Sequence, residues 1–266
     1  MGRRLLAAHA LLVYAFLYAP VVVVVVYAFN GGRQTLNWEG FSTKWFGAAL
    51  EDDSITSALR NSLLIAAGTA VVSCLLGTLL ALSLPRMWRA LRVPVDALVT
   101  MTLVTPEIVF GIAALVFFTE VGVTLGLKTV LAAHVVFNTS VVALVVRARF
   151  VGMSQEFEEA SFDLGAGPLS TFRQVTLPRL APAIVAGGLL AFTFSFDDFY
   201  TSFFVTGAGT TTLPLYVFSS LRFGVSPIVN ATAAMVLALT IAAVVLAYIV
   251  LRRSGGRAGG VFPGVR

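Results

Sequence analysis

The stretch "EASFDLGAGPLSTFRQVTLP", residues 159–178, is a polar interruption in a chain made mostly of apolar runs. It lies within residues 147–180, a segment too long for a simple turn. Ser154 is a candidate N-cap, and the acidic residues within 156–159 follow it where a helix dipole favours negative charge. Glycine and proline within 165–168 end this helix, and a second short helix is expected after the turn.

On both sides of this segment the sequence has the composition of an integral membrane protein. Of its 266 residues, 58% are hydrophobic and 12% are charged, with a mean hydropathy of +0.92. A helical span needs about 20 apolar residues, and the period-two alternation of a membrane barrel is absent. The sequence therefore predicts one all-α membrane domain, residues 1–266. Its six predicted spans cover about residues 5–29, 61–84, 95–118, 129–146, 181–205 and 229–251.

The basic residues predict the orientation of the chain. With the N-terminus inside the cell, the cytoplasmic segments hold 13 of the 18 Lys and Arg residues. This asymmetry follows the positive-inside rule, so both termini and the 147–180 segment are predicted to be cytoplasmic. The predicted helix in that segment has an acidic polar side, which an anionic leaflet repels. Docking to a protein is therefore favoured over lying on the membrane surface.

The 159–178 stretch resembles the coupling signature of the permease subunits of bacterial ABC importers. That signature is E-A-A, three residues, G, nine residues, then I-x-L-P, and every spacing matches here, with Ser for the third small residue and Val for Ile. Residues 105–118 and 195–231 are similar to the second permease subunit of spermidine/putrescine importers. The positions that the resemblance assigns to ATPase coupling are Glu159, Ala160, Ser161, Gly165, Val175, Leu177 and Pro178.

The resemblance implies a type I ABC importer fold in the bacterial cytoplasmic (inner) membrane. The implied partners are a second homologous permease subunit, two cytoplasmic ATPase subunits that bind ATP and Mg, and an extracytoplasmic solute-binding protein. The coupling helix, about Glu159–Leu164, would dock in a groove on an ATPase. This chain has no G-x-x-x-x-G-K-[ST] phosphate loop, so we expect neither catalysis nor a cofactor or metal in this subunit. His9 and His134 are isolated in sequence and are expected to be packed or hydrogen-bonded.

Three carboxylates, Glu107, Asp197 and Asp198, fall inside predicted spans, where ionisable groups are costly and usually functional. Straight helices would place Glu107 roughly 18 Å and Asp197 roughly 24 Å from the inner ends of their spans. Carboxylates at this depth can replace the water around an ammonium group, and nearby rings can offer cation-π faces. The aromatic candidates are Phe194, Phe196, Phe199 and Tyr200.

Structural roles for these carboxylates stay open at the sequence level. Asp197 or Asp198 can cap a helix break, or pair with Arg222 or with an arginine of a partner. Consecutive helical residues point about 100° apart, so we expect one of the two to line the path and the other to be structural. Pro106 can open a kink before Glu107, which makes a structural role equally open there.

The leading functional hypothesis is a permease subunit for a cationic solute, with putrescine or spermidine indicated by the resemblance. An importer for ferric iron, thiamine, or an opine-like or amino-acid-like solute is an alternative in the same class. A secondary transporter could use the three carboxylates for ion coupling, but the coupling signature and the lack of an inverted repeat argue against it. A membrane scaffold without transport is disfavoured by the charges inside the spans.

Overall fold

A computed structural model describes residues 2–33, 37–222 and 226–255 of the chain. The described residues are almost entirely helical and form two compact units, Met1–Thr56 with Val217–Arg266, and Ser57–Tyr216. The helices are α1 (Gly2–Ala28), α2 (Lys44–Glu51), α3 (Asp53–Ser83), α4 (Arg89–Val104), α5 (Glu107–Glu120), α6 (Leu127–Val151), α7 (Glu156–Asp163), α8 (Pro168–Thr171), α9 (Leu177–Asp197), α10 (Tyr200–Val205), α11 (Leu213–Leu221) and α12 (Pro227–Gly255).

In the first unit, α1 and α2 both pack against α12. The loop between α1 and α2 is organised by the buried Asn30, whose side-chain oxygen accepts hydrogen bonds from the backbone N–H of Gly32 at 3.3 Å and of Glu39 at 2.8 Å. The indole of Trp45, on α2, donates to the Asn30 carbonyl at 2.9 Å. These bonds satisfy backbone groups that would otherwise lack partners as the chain leaves α1.

In the second unit, α6 and α9 form the main helix pair, and α10 packs against both α5 and α6. Two apolar clusters lie along α6. The first surrounds Val130 and Ala133 and includes Val205 of α10, and the second surrounds Val142 and Val146. Polar residues of α6 between these clusters, from 134 to 140, are also buried, which makes the middle of α6 a polar layer inside an apolar core.

Several predicted spans match the structure. Four stretches are long and apolar enough to cross a membrane: Arg4–Ala28, Asp53–Arg86, Leu127–Val151 and Pro168–Asp197. The bent pair α4 and α5 is a fifth if it is counted as one span. The sixth predicted span falls on α12, whose described apolar part, Pro227–Ala242, is shorter. The all-helical membrane fold is confirmed, whereas the count of six spans is not.

The third predicted span, residues 95–118, is wrong as a continuous helix. α4 ends at Val104 and α5 begins at Glu107, with 115° between them. Thr105 and Pro106 are extended, with ψ of 129° and 134°. The residue before a proline avoids the α region, and proline cannot donate to the helical ladder, so the chain breaks here instead of kinking. The straight-helix depth of Glu107 does not apply.

The fifth predicted span, residues 181–205, also needs correction at both ends. A helical rod begins at Pro168 and passes through a π-helical turn, Phe172–Thr176, into α9. It ends at Asp197, and Asp198 is extended with ψ of 120° before α10 resumes the helix. The helix therefore unwinds between the two adjacent carboxylates, which gives them different directions.

Cys74 of α3 packs against Gly188 of α9. A methyl group on Gly188 would lie 2.6 Å from Cys74 Sγ, with no other heavy atom within 4 Å beyond its own helix and chain neighbours. The sulfur sits in this gap, 3.5 Å from the Ile184 carbonyl. Gly188 and Cys74 are therefore complementary in volume.

We expect Gly188→Ala to lower the free energy of unfolding of the detergent-purified protein by about 1–3 kcal/mol, which is the usual cost of overpacking. The measurement is the thermal unfolding temperature of each variant. Cys74→Ala removes the clashing sulfur, so the double variant should recover most of this loss. Gly47→Ala, which meets nothing within 4 Å, is the matched control. A double variant as unstable as Gly188→Ala alone would contradict this account of the contact.

Candidate functional site

The second unit contains a polar chamber of about 230 Å³ between the two apolar clusters of α6. It lies where α4 breaks into α5 and where α9 breaks into α10. Gly111 of α5 packs closely against Phe204 and the Thr201 backbone of α10, which holds the two broken ends together. The lining residues are Glu107, Phe110, His134, Phe137, Asn138, Phe194, Asp197, Asp198, Phe199, Tyr200 and Thr201.

The Asp198 side chain satisfies the start of α10. Its Oδ2 accepts a hydrogen bond from the Ser202 N–H at 2.7 Å, and Oδ1 accepts a longer one from the Thr201 N–H at 3.4 Å. First-turn N–H groups have no intrahelical acceptor, and a carboxylate also complements the positive end of a helix dipole. Capping of a helix break, one of the structural roles that the sequence left open, is the geometry found at Asp198.

His134 of α6 completes the surroundings of Asp198. The imidazole is 3% exposed, and its Nε2 lies 3.1 Å from Asp198 Oδ2 and 3.2 Å from Ser202 Oγ. Nδ1 lies 2.7 Å from Ser195 Oγ, which in turn lies 3.2 Å from Thr69 Oγ1. The prediction of a packed or hydrogen-bonded side chain is confirmed for His134, whereas His9 is exposed. The pairing of His134 with Asp198 was missed because no local sequence spacing links residues 64 positions apart.

Asp197 and Glu107 are both exposed, and neither forms a hydrogen bond or ion pair with the described residues. Both line the chamber together with Asp198. The structure therefore brings together the three carboxylates that the sequence singled out. Asp198 is held by three donors, whereas Asp197 and Glu107 are free to meet a ligand.

Aromatic rings form one wall of the chamber. Phe137 makes edge contacts with Phe110 at 6.2 Å and with Phe194 at 6.4 Å between ring centroids, while Phe199 contacts Tyr200 at 5.4 Å. Of the predicted aromatic candidates, Phe194, Phe199 and Tyr200 line the chamber. Phe196 stacks on Phe192 at 5.9 Å and is not among the lining residues.

The predicted coupling segment has the expected helix–turn–helix form. α7 covers Glu156–Asp163, so it begins two residues after Ser154, whose hydroxyl accepts from the Glu156 N–H at 3.3 Å. The helix ends in a Schellman motif: Ala166 N–H donates to the Ser161 carbonyl, and Gly165 N–H to the Phe162 carbonyl. Gly165 has φ of +83°, as the left-handed position of that motif requires.

α7 is fastened to the rod formed by α8, the π-helical turn and α9. The fastening uses one hydroxyl pair, one carboxylate–hydroxyl bond and one cation-π contact. These contacts are Ser161 Oγ to Thr171 Oγ1 at 3.0 Å, Thr176 Oγ1 donating to Glu158 Oε1 at 2.6 Å, and the Arg179 guanidinium over the Phe157 ring at 3.3 Å. Ala160 and Ser161 lie in α7, Val175 lies in the π-helical turn, and Leu177 and Pro178 begin α9.

Comparison with known proteins gives the family. The profile described as "Binding-protein-dependent transport system inner membrane component" matches residues 73–255. The chain belongs to this family. It is a permease subunit of an ABC importer, not an enzyme.

Two curated relatives cover most of this permease. It is 42% identical over 234 residues to the putrescine transport system permease protein PotI of Escherichia coli (strain K12), covering 85% of this chain and 83% of that protein. It is 36% identical over 262 residues to the spermidine/putrescine transport system permease protein PotC of the same strain, covering 98% and 99%.

A solved structure shows that the fold extends beyond close relatives. The permease matches a chain in the crystal structure of a bacterial alginate ABC transporter in complex with an alginate pentasaccharide-bound periplasmic protein. The TM-score is 0.70 at 14% identity, over 94% of this chain and 93% of that one. The fold is thus common to permeases whose sequences differ widely.

We expect Gly165→Ala to loosen the end of α7, because a methyl group is strained at a positive φ by about 1 kcal/mol. Gly167→Ala is a matched control: neither glycine has a heavy atom within 4 Å of the added carbon, but Gly167 has φ of −75°. Faster amide hydrogen exchange across residues 156–166 in Gly165→Ala alone is the expected result. Equal exchange in the two variants would contradict it.

Proposed function

We propose that this permease carries a slender cationic solute of the polyamine class, and that Asp197 and Glu107 receive its ammonium group in the chamber. The observation that carries this proposal is the pair of unpaired carboxylates beside an aromatic wall. The described lining contains neither Lys nor Arg. Such a site attracts an alkylammonium ion by charge and by cation-π contact, and repels an anion.

The size of the chamber supports a small solute. Its volume of about 230 Å³ lies below the roughly 300–1,000 Å³ usual for small-molecule pockets. An extended alkyl chain can follow the aromatic wall while its terminal ammonium meets carboxylate oxygens. The names of the relatives PotI and PotC state putrescine and spermidine, which agrees with this chemistry.

The proposal includes the other parts of an importer. A second homologous permease would supply the opposite wall of the path, and an extracytoplasmic solute-binding protein would deliver the solute. Two cytoplasmic ATPases, binding ATP and Mg, would drive the cycle. Basic residues concentrate in the segments predicted to be cytoplasmic, which supports cytoplasmic termini in a bacterial inner membrane.

We also propose that α7 docks into a groove of an ATPase. Phe157 and Phe162 of α7 are about half exposed, and Leu164, directly after the helix, is 90% exposed, although exposed apolar side chains in water are costly. Because side-chain contacts hold α7 against the rod that ends at Asp197, a displacement of α7 by the ATPase would move the rod and the chamber residues at its end. This is rigid-body movement of packed helices.

For the chamber, we expect Asp197→Asn and Glu107→Gln each to lower ATP-driven putrescine uptake by about tenfold or more, because a charge facing the ammonium group is lost. Uptake is measured in proteoliposomes containing the complete importer, at equal amounts of assembled complex. Glu120→Gln, at the other end of α5, is the matched control and should keep wild-type uptake. Normal uptake by the Asp197/Glu107 double variant would refute this site.

For docking, we expect Glu159→Lys to abolish coupling, lowering uptake by at least about tenfold through charge reversal at the interface. Solute-dependent ATP hydrolysis should fall with it, while the variant still inserts in the membrane. Glu51→Lys on α2 provides the same charge change away from the coupling segment. Wild-type uptake and co-purification of the ATPase with Glu159→Lys would contradict the docking role.

A further inference from the structure

His134 connects four helices at the edge of the chamber. It lies on α6 and contacts Ser195 on α9, Ser202 on α10 and the Asp198 carboxylate between them, while Ser195 also contacts Thr69 on α3. Each of these side chains except Asp198 is buried. The imidazole is therefore the common partner of the elements on both sides of the α9 break.

The hydrogen bonds of His134 remain complete with one or two protons on the ring. Asp198 accepts at Nε2, so Nε2 carries a proton in either state. In the neutral ring, Nδ1 accepts from the Ser195 hydroxyl. In the charged ring, Nδ1 donates to Ser195 Oγ and the Ser195 hydroxyl turns to Thr69. Only hydroxyl rotations separate the two states.

The titratable groups that face His134 are three carboxylates and one tyrosine. From α5 comes Glu107, from the end of α9 come Asp197 and Asp198, and from α10 comes Tyr200. The described contacts from α3 are hydroxyl groups. A cation in the chamber and a proton on His134 would therefore both compensate the same acidic group of side chains.

We propose that His134 is a positioning residue of the permease: it holds Asp198 against the first turn of α10 and, by gaining or losing a proton, sets the charge that Asp198 presents to the solute. This inference rests on the proposed function, since it takes the chamber as the place where a cationic solute binds. With His134 neutral, Asp198 keeps its negative charge and favours the ammonium group. With His134 protonated, the pair is neutral and solute binding weakens.

The sign of the pH dependence follows from linkage. Protonation of His134 increases as the pH falls, so the apparent affinity for a cationic solute should fall with it. One proton exchanged per solute limits the change to about tenfold in apparent affinity per pH unit. The effect disappears when residue 134 cannot titrate.

Three substitutions at His134 separate position from charge. The amide nitrogen of Gln can take the place of Nε2 toward Asp198, that of Asn can take only the place of Nδ1, and Leu offers neither. We expect His134→Gln to retain putrescine uptake within about twofold at pH 8, and His134→Asn and His134→Leu to lose at least about tenfold. The loss should appear in maximal rate as well as in KM, since the α10 cap is disturbed.

The pH dependence of KM distinguishes this proposal from a merely structural role of His134, which would leave that dependence unchanged. Uptake by wild-type and His134→Gln importers is compared between pH 6 and 8 with the same solute-binding protein, so its own pH dependence cancels in the ratio. The KM ratio of wild type to His134→Gln should rise toward pH 6. Parallel profiles, or full activity of His134→Leu, would overturn the proposal.

A second measurement needs no solute. The chain contains two histidines, so a His9→Gln background with ¹⁵N-labelled histidine leaves His134 as its one imidazole probe. The ¹⁵N signal of Nε2 should shift in Asp198→Ala, because this variant removes the acceptor of the Nε2 hydrogen bond. An unchanged signal would overturn the proposal even if putrescine is transported. A shifted signal in a permease that does not transport putrescine would instead overturn only the assignment of the solute.

Discussion

Interrupting a helix within a membrane leaves backbone N–H groups with neither helical partners nor water, and this constraint governs the centre of the permease. At the α9 break the Asp198 carboxylate accepts hydrogen bonds from the backbone N–H groups of Thr201 and Ser202. His134 in turn supplies Asp198 with a buried hydrogen-bond donor. The polar middle of α6, the position of α10 and the shape of the chamber all depend on this arrangement.

Because of the same break, the adjacent residues Asp197 and Asp198 have different surroundings. Asp198 uses its oxygens on protein donors, whereas Asp197 ends α9 and leaves its carboxylate exposed to the chamber. A continuous helix would have turned these side chains about 100° apart on one cylinder. Unwinding instead allows both to line one cavity while only one is committed to structure.

Long-range pattern was predictable from the sequence, and local breaks were less so. The length of the apolar runs was sufficient to predict the helical membrane fold, and Gly165 with its flanking motif was sufficient to predict the turn after α7. The break at Pro106 was underestimated, because a proline in an apolar run is compatible with either a kink or a complete stop. The His134 pairing joins residues that only the packing of α6 on α9 brings together, so no periodicity could reveal it.

The π-helical turn Phe172–Thr176 has a consequence for the geometry of the whole rod. A π turn absorbs one additional residue locally, whereas in a regular helix each added residue rotates everything beyond it by about 100°. The fastened face of α8 and the chamber face of α9 are thereby kept in their angular relation. A residue added to or removed from the regular part of the rod would instead rotate its far end, about twenty residues away, by about 100°.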